Sequence, residues 1–184
     1  MMSEKSPFAL PHLAEIFNQL RRGRHLCPED GDLYRALRQD GEAFRDCFHH
    51  LGFRLEAHPR DFFYFRGSDG LSPQASRMAL FVFILIESLA DQGRPVVDTL
   101  MTETFAISEL PHLKSARYRA YLQEAGGAGE DDLRAIIRQL DRFGFANRLT
   151  DDTFRFRTPA YRFFDLCIDI LNRDQAAPAG EDAS

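Results

Sequence analysis

At 184 residues the chain is long enough for one large domain or two small ones, and 44% hydrophobic with 28% charged residues is ordinary globular composition. The formal net charge is −5, of which Asp174, Glu181 and Asp182 carry three, leaving about −2 for residues 1–173. A body so near neutral excludes a protein coated in positive charge for non-specific nucleic-acid binding and leaves room only for a local basic patch.

The opening residues contain no apolar h-region of a secretory leader. Leu13, Ile16, Phe17 and Leu20 mark a first helix. It closes on Arg21-Arg22-Gly23-Arg24-His25, where cations are favourable at the negative end of the helix dipole; ligand binding is the other reading of this cluster. The cap-like Pro28-Glu29-Asp30 opens a second helix with Leu33 and Leu37, and Phe44, Cys47, Phe48 and Leu51 mark a third. After Gly52 come Phe53-Arg54-Leu55, a polar turn at His58-Pro59-Arg60-Asp61, and the aromatic run Phe62-Phe63-Tyr64-Phe65, which together predict a β-hairpin.

The next helix is expected from Ser76 to Gln92, capped near Ser72 or Ser76. Its run Met78 to Ile86 is hydrophobic nearly all round but only about half of a bilayer-spanning length, so it reads as a buried helix and not a membrane anchor. A small domain would struggle to bury such a helix alone. Either inter-domain packing covers it, or a dimer interface or a partner's helix does, through Phe81, Phe83 and Ile84. The chain continues through Val96 to Met101 into a polar, helical insertion near residues 108–129 that ends in the flexible turn Ala125-Gly126-Gly127-Ala128-Gly129. An amphipathic helix from Glu130 to Phe143, a second hairpin, and a last helix with Tyr161, Phe164, Leu166 and Ile170 follow. Beyond Asp174 the Ala, Pro, Gly and acidic residues predict disorder.

The chain repeats itself weakly. His50-Leu51-Gly52-Phe53-Arg54-Leu55 and Arg142-Phe143-Gly144-Phe145 with Arg148-Leu149 each follow an amphipathic helix, and each leads through a polar turn into an aromatic strand. Three helices followed by a hairpin is winged-helix order. The expected fold is mainly α with small β-hairpins: tandem winged-helix domains over 8–70 and 71–158, a C-terminal helix at 159–173, and a disordered tail at 174–184.

The helix at 130–143 turns Leu133, Ile136, Ile137 and Leu140 to one side and Arg134, Arg138 and Arg142 to the other. In a winged helix this is the recognition position, so the arginines are candidate phosphate contacts, joined by Arg148, Arg155 and Arg157 on the adjacent hairpin. The competing reading is a solvated face paired with Glu130, Asp131 and Asp141. No base-reading signature is visible, which favours backbone contact over sequence-specific recognition. Cys27, Cys47 and Cys167, odd in number and outside any CxxC pair, fit free thiols of a reducing cytoplasm. The six histidines have no metal-ligand spacing, and no P-loop, GxGxxG or GxSxG occurs. Neither a cofactor nor an enzymatic activity is expected.

Leu20-Arg21-Arg22-Gly23-Arg24-His25-Leu26, followed some forty residues later by Asp61-Phe62-Phe63-Tyr64-Phe65-Arg66, resembles elements of the MukE/MksE family, and the short chain and tail are more similar to MksE. The resemblance covers residues 10–95 well and continues weakly to about 172. It implies a non-catalytic, dimeric, tandem winged-helix subunit of a bacterial condensin-like complex. Such a subunit binds a kleisin (MksF/MukF-like) and, through it, an SMC-like ATPase (MksB/MukB-like). It adds weak DNA contacts on the nucleoid, in chromosome organisation and segregation or in plasmid defence. Arg24, Phe63 and Phe65 then join Phe81, Phe83 and Ile84 as candidates for the partner or dimer interface. A stand-alone winged-helix transcription regulator is the rival reading, and it would require tight specific DNA binding by the protein alone.

Overall fold

The structure, a computed structural model, describes residues 9–67 and 72–176, with side chains to residue 170. The chain begins with three helices, α1 (Leu13–Arg21), α2 (Asp32–Gln39) and α3 (Gly41–His50), and the antiparallel hairpin β1 (Leu55–His58) and β2 (Phe62–Phe65). Ile16, Leu20, Leu37, Phe44, Phe48, Leu55 and Phe63 close into one core. The aromatic run of β2 does not alternate with polar residues because both faces of the hairpin are covered. Phe63 and Phe65 enter this core, whereas Phe62 and Tyr64 face the other half of the molecule.

A second core is built on α4 (Pro73–Asp91), whose N-cap Ser72 accepts the Ala75 N–H at 3.1 Å. The remaining elements are α5 (Val96–Thr102), β3 (Thr104–Ala106), α6 (Pro111–Lys114), α7 (Ala116–Glu124), α8 (Glu130–Arg142), β4 (Ala146–Arg148), β5 (Thr153–Phe156) and α9 (Tyr161–Ala176). The second hairpin gains β3 as a third strand in the order β3-β5-β4, with Phe105 opposite Phe154. The helix α9 runs past Asp174 to Ala176, so residues 174–176 are helical where the composition predicts disorder; residues 177–184 lie outside the described residues, as do 8, 70 and 71 at the expected domain limits.

By length and composition α4, at 19 residues, could cross a membrane, but 44% of its apolar window is buried inside its own chain. Phe81 is 0% and Ile84 2% exposed, and Phe83 packs half-buried against the same core. Leu110, Leu113, Tyr118 and Leu122 of the 108–129 insertion supply much of that cover. The His112 ring stacks on Phe81 at 4.4 Å, and its Nε2 lies 2.8 Å from the Phe81 carbonyl oxygen. The insertion, read from sequence as a polar addition, is what makes an all-apolar helix affordable in a small protein.

Candidate functional site

The two cores meet along a polar seam built mainly from the Arg24-His25 segment and its surroundings. Gly23 sits directly on the Phe143 ring, where a Cβ would lie 2.8 Å from Cε1. The chain then passes along the end of α8: the His25 N–H donates to the Phe143 carbonyl at 2.9 Å, and the Arg24 guanidinium donates to the carbonyls of Asp141 at 3.0 Å and Arg142 at 3.4 Å. These are carbonyls that a helix end leaves without an intrahelical partner, so a side chain from the first core caps a helix of the second.

Asp30 is the hub. Its Oδ2 accepts from Arg157 Nη2 at 2.7 Å and from the Cys27 N–H at 2.9 Å, and its Oδ1 from Arg24 Nη2 at 3.1 Å. Burial raises its pKa, but the Cys27 N–H and the two guanidiniums outweigh that and hold the carboxyl below the usual carboxylate range. Arg157 is 2% exposed and also donates to the Gly144 carbonyl at 3.3 Å and the Cys27 sulfur at 3.1 Å, with Glu29 3.5 Å from its Nε. Gly144 has φ +82°, and a Cβ there would lie 2.5 Å from the His25 carbonyl oxygen, so this position needs glycine on two counts. Burial raises the Cys27 thiol to about 11, outweighing the nearby Arg157 charge, which lowers it, and this keeps the thiol protonated and inert.

Beside this ion cluster lies an aromatic one. His25 stacks on Tyr64 at 5.2 Å and meets Phe145 at 4.5 Å. Arg162 Nη1 lies 2.9 Å from His25 Nε2, and because a guanidinium only donates, the His25 proton is on Nδ1, 3.2 Å from the Phe143 carbonyl it serves. Burial first, and the Arg162 charge second, lower the His25 pKa to about 3, so the ring is neutral at physiological pH. The Arg162 guanidinium covers the Tyr64 ring at 4.2 Å, Arg60 covers Tyr161 at 4.4 Å, and His58 Nε2 is 2.7 Å from Asp165. Helix α9 thus holds the outer face of the first hairpin.

This geometry redistributes the arginines expected to touch DNA. Arg157 is withdrawn from that set, because it is a buried partner of Asp30 and not a wing residue in solvent. Arg134 is paired with Glu130 and Asp131, and Arg148 with Asp151 at 3.2 Å. Arg138, Arg142 and Arg155 are exposed and have no acidic partner within 4 Å among the described residues. Strand alternation sends Arg155 to the sheet face opposite Phe154 and Phe156, away from the core that α8 covers, so the six arginines do not form one ridge.

The expected partner-contact residues are also mostly occupied at home. Arg24 is a clamp of the seam, Phe63 is 5% exposed in the first core, and Phe65 stacks on Phe53 at 4.9 Å within that core. Sequence reasoning missed Asp30, Arg162 and Tyr64, since nothing local links residues more than a hundred positions apart; Pro28-Glu29-Asp30 read only as a helix cap. A separate cleft of about 820 Å³ lies between the end of α4, the edge strand β3 and the α6–α7 segment, with Arg94, Glu103, Lys114 and Arg117 among its lining. Among the described residues no three His, Cys, Asp or Glu side chains converge as a metal-holding group.

A comparison with curated proteins yields no match. A family model described as condensin complex protein MksE matches residues 11–168, a span that takes in both cores and the seam between them, and the chain therefore belongs to the MksE family.

Proposed function

We propose that this chain is a non-catalytic accessory subunit of a bacterial SMC-like complex. It binds a kleisin, reaches the SMC-like ATPase through it, and adds local contacts to DNA in the cytoplasm, on the nucleoid. The observation that carries this reading is the match to the condensin family over residues 11–168.

Each half has the order of a winged helix, three helices before a hairpin in the first and α8 before β4–β5 in the second, which supports tandem winged-helix domains divided near residue 70. An extended kleisin segment could pair with the edge strand β3 and lie in the cleft beside it, as strands commonly add to exposed sheet edges. The body is close to neutral overall, so DNA binding by the chain alone is weak and salt-sensitive. The dimer, and the choice between chromosome upkeep and plasmid exclusion, belong to the same proposal.

Affinity purification of the tagged chain from its native host, followed by mass spectrometry, tests it. Recovery of an SMC-like ATPase and a kleisin supports the subunit. Recovery of neither, together with tight sequence-specific binding to DNA by the purified chain, would replace it with a stand-alone regulator.

A further inference from the structure

Helices α1 and α8 end side by side, although Arg24 and Asp141, which join them, are 117 residues apart. Gly23 abuts the Phe143 ring, and the Arg142 guanidinium stands 5.9 Å from the centre of that same ring. The seam thereby brings Arg21 and Arg22 of the first half to the place where Arg138 and Arg142 leave the second. All four are exposed, and none has an acidic partner within 4 Å among the described residues; Arg24, next in sequence, is already neutralised by Asp30.

Helix capping does not account for so much charge. Each helix C-terminus presents about −0.5 of a unit charge, so two present about −1, and Asp141 adds one more. Against four guanidiniums that leaves a surplus of about +2 on a body whose overall charge is negative.

We propose that Arg21 and Arg22, joined across the seam to Arg138 and Arg142, form one composite cationic surface that takes the phosphate backbone of duplex DNA. This rests on the reading above that the subunit touches DNA, and it names where. An acidic peptide is the less suitable occupant. None of the exposed large apolar side chains lies in the segments 19–23 or 138–143 that carry the four heads, so a peptide would find charge without an anchoring pocket, whereas a regular polyanion needs only charge. The surface exists only when both halves are present and locked, which explains how a nearly neutral chain concentrates more cations than the short cluster at Arg21 to Arg24 supplies.

The test uses the full chain and a fluorescently labelled, short mixed-sequence duplex, with anisotropy titrations over a range of low salt concentrations. Arg21→Gln with Arg22→Gln, and separately Arg138→Gln with Arg142→Gln, are each expected to weaken binding and to flatten the slope of log K against log salt by about 2, at ~0.9 per phosphate contact. Arg45→Gln with Arg54→Gln, exposed arginines elsewhere on the first half, should leave the slope unchanged. If only the Arg138/Arg142 variant loses affinity, the composite surface is refuted while DNA contact through α8 stands. An equal loss in the Arg45/Arg54 control refutes it in favour of a diffuse charge effect. If the unaltered chain ignores the duplex but binds poly-glutamate, the surface serves an acidic protein and the DNA reading fails with it.

Discussion

Asp30→Ala should be the most damaging single change at the seam. The substitution strips Arg157 of its 2.7 Å partner while leaving the guanidinium 2% exposed, and it removes the acceptor of Arg24 and of the Cys27 N–H. Breaking a buried pair from one side costs about 3–5 kcal/mol, and the lower end, about 3, applies because the partly exposed Glu29 remains near Arg157. That is a large share of the roughly 5–15 kcal/mol that stabilises a folded chain. Arg157→Met should cost less, about 2 kcal/mol, since Asp30 keeps the Cys27 N–H and Arg24 and is not left alone. The double variant should then be milder than the sum of the two by about 1–2 kcal/mol, the signature of a shared buried pair. Urea denaturation followed by circular dichroism supplies the cycle. Because Asp30 ties one core to the other, its loss should also split or broaden the single transition. Costs that add to within about 0.5 kcal/mol, with one unbroken transition, would refute the claim that this pair locks the two halves.

Acid should weaken the fold before the carboxylates titrate. His25 and His112 stay neutral in the folded state down to about 3 and about 4, whereas the unfolded chain takes up both protons near 6.5. The stability these two provide is therefore complete above pH 6.5 and falls as pH drops toward 4, by about 2 kcal/mol each at pH 5; equal urea midpoints at pH 7 and pH 5 would contradict it. Gly144→Ala should cost several-fold more than Gly52→Ala in the same melts: both have φ +82°, but only at Gly144 does the new methyl meet a backbone oxygen. Arg134→Glu should affect DNA retention by the assembled complex less than Arg138→Glu, because Arg134 already belongs to Glu130 and Asp131; the reverse order would contradict this, and no effect from either would return α8 to a solvated face. Leu122→Ala should destabilise by about 2–5 kcal/mol by uncovering α4, and a neutral result would make the 108–129 insertion dispensable to the core.

Local signals determined the elements. The 3.6-residue spacing of Leu133, Ile136, Ile137 and Leu140 and the aromatic runs bounded by turns fix helices and hairpins through forces acting within a few residues, and the composition alone already required any DNA contact to be local. The strand β3 escaped because three residues, Thr104 to Ala106, carry no period of their own and pair only when β5 is beside them. Which arginines are spent and which are free was decided by the tertiary structure alone. Arg155 and Arg157 look alike in sequence, two positions apart, the first on β5 and the second just past its end, yet one is in solvent and the other buried on Asp30, 127 residues away. The same holds for Arg24 and its neighbours Arg21 and Arg22. A charged side chain's role depends on the carboxylate, carbonyl or open water that the fold brings to it, and an interaction between distant residues leaves no trace in the spacing of either.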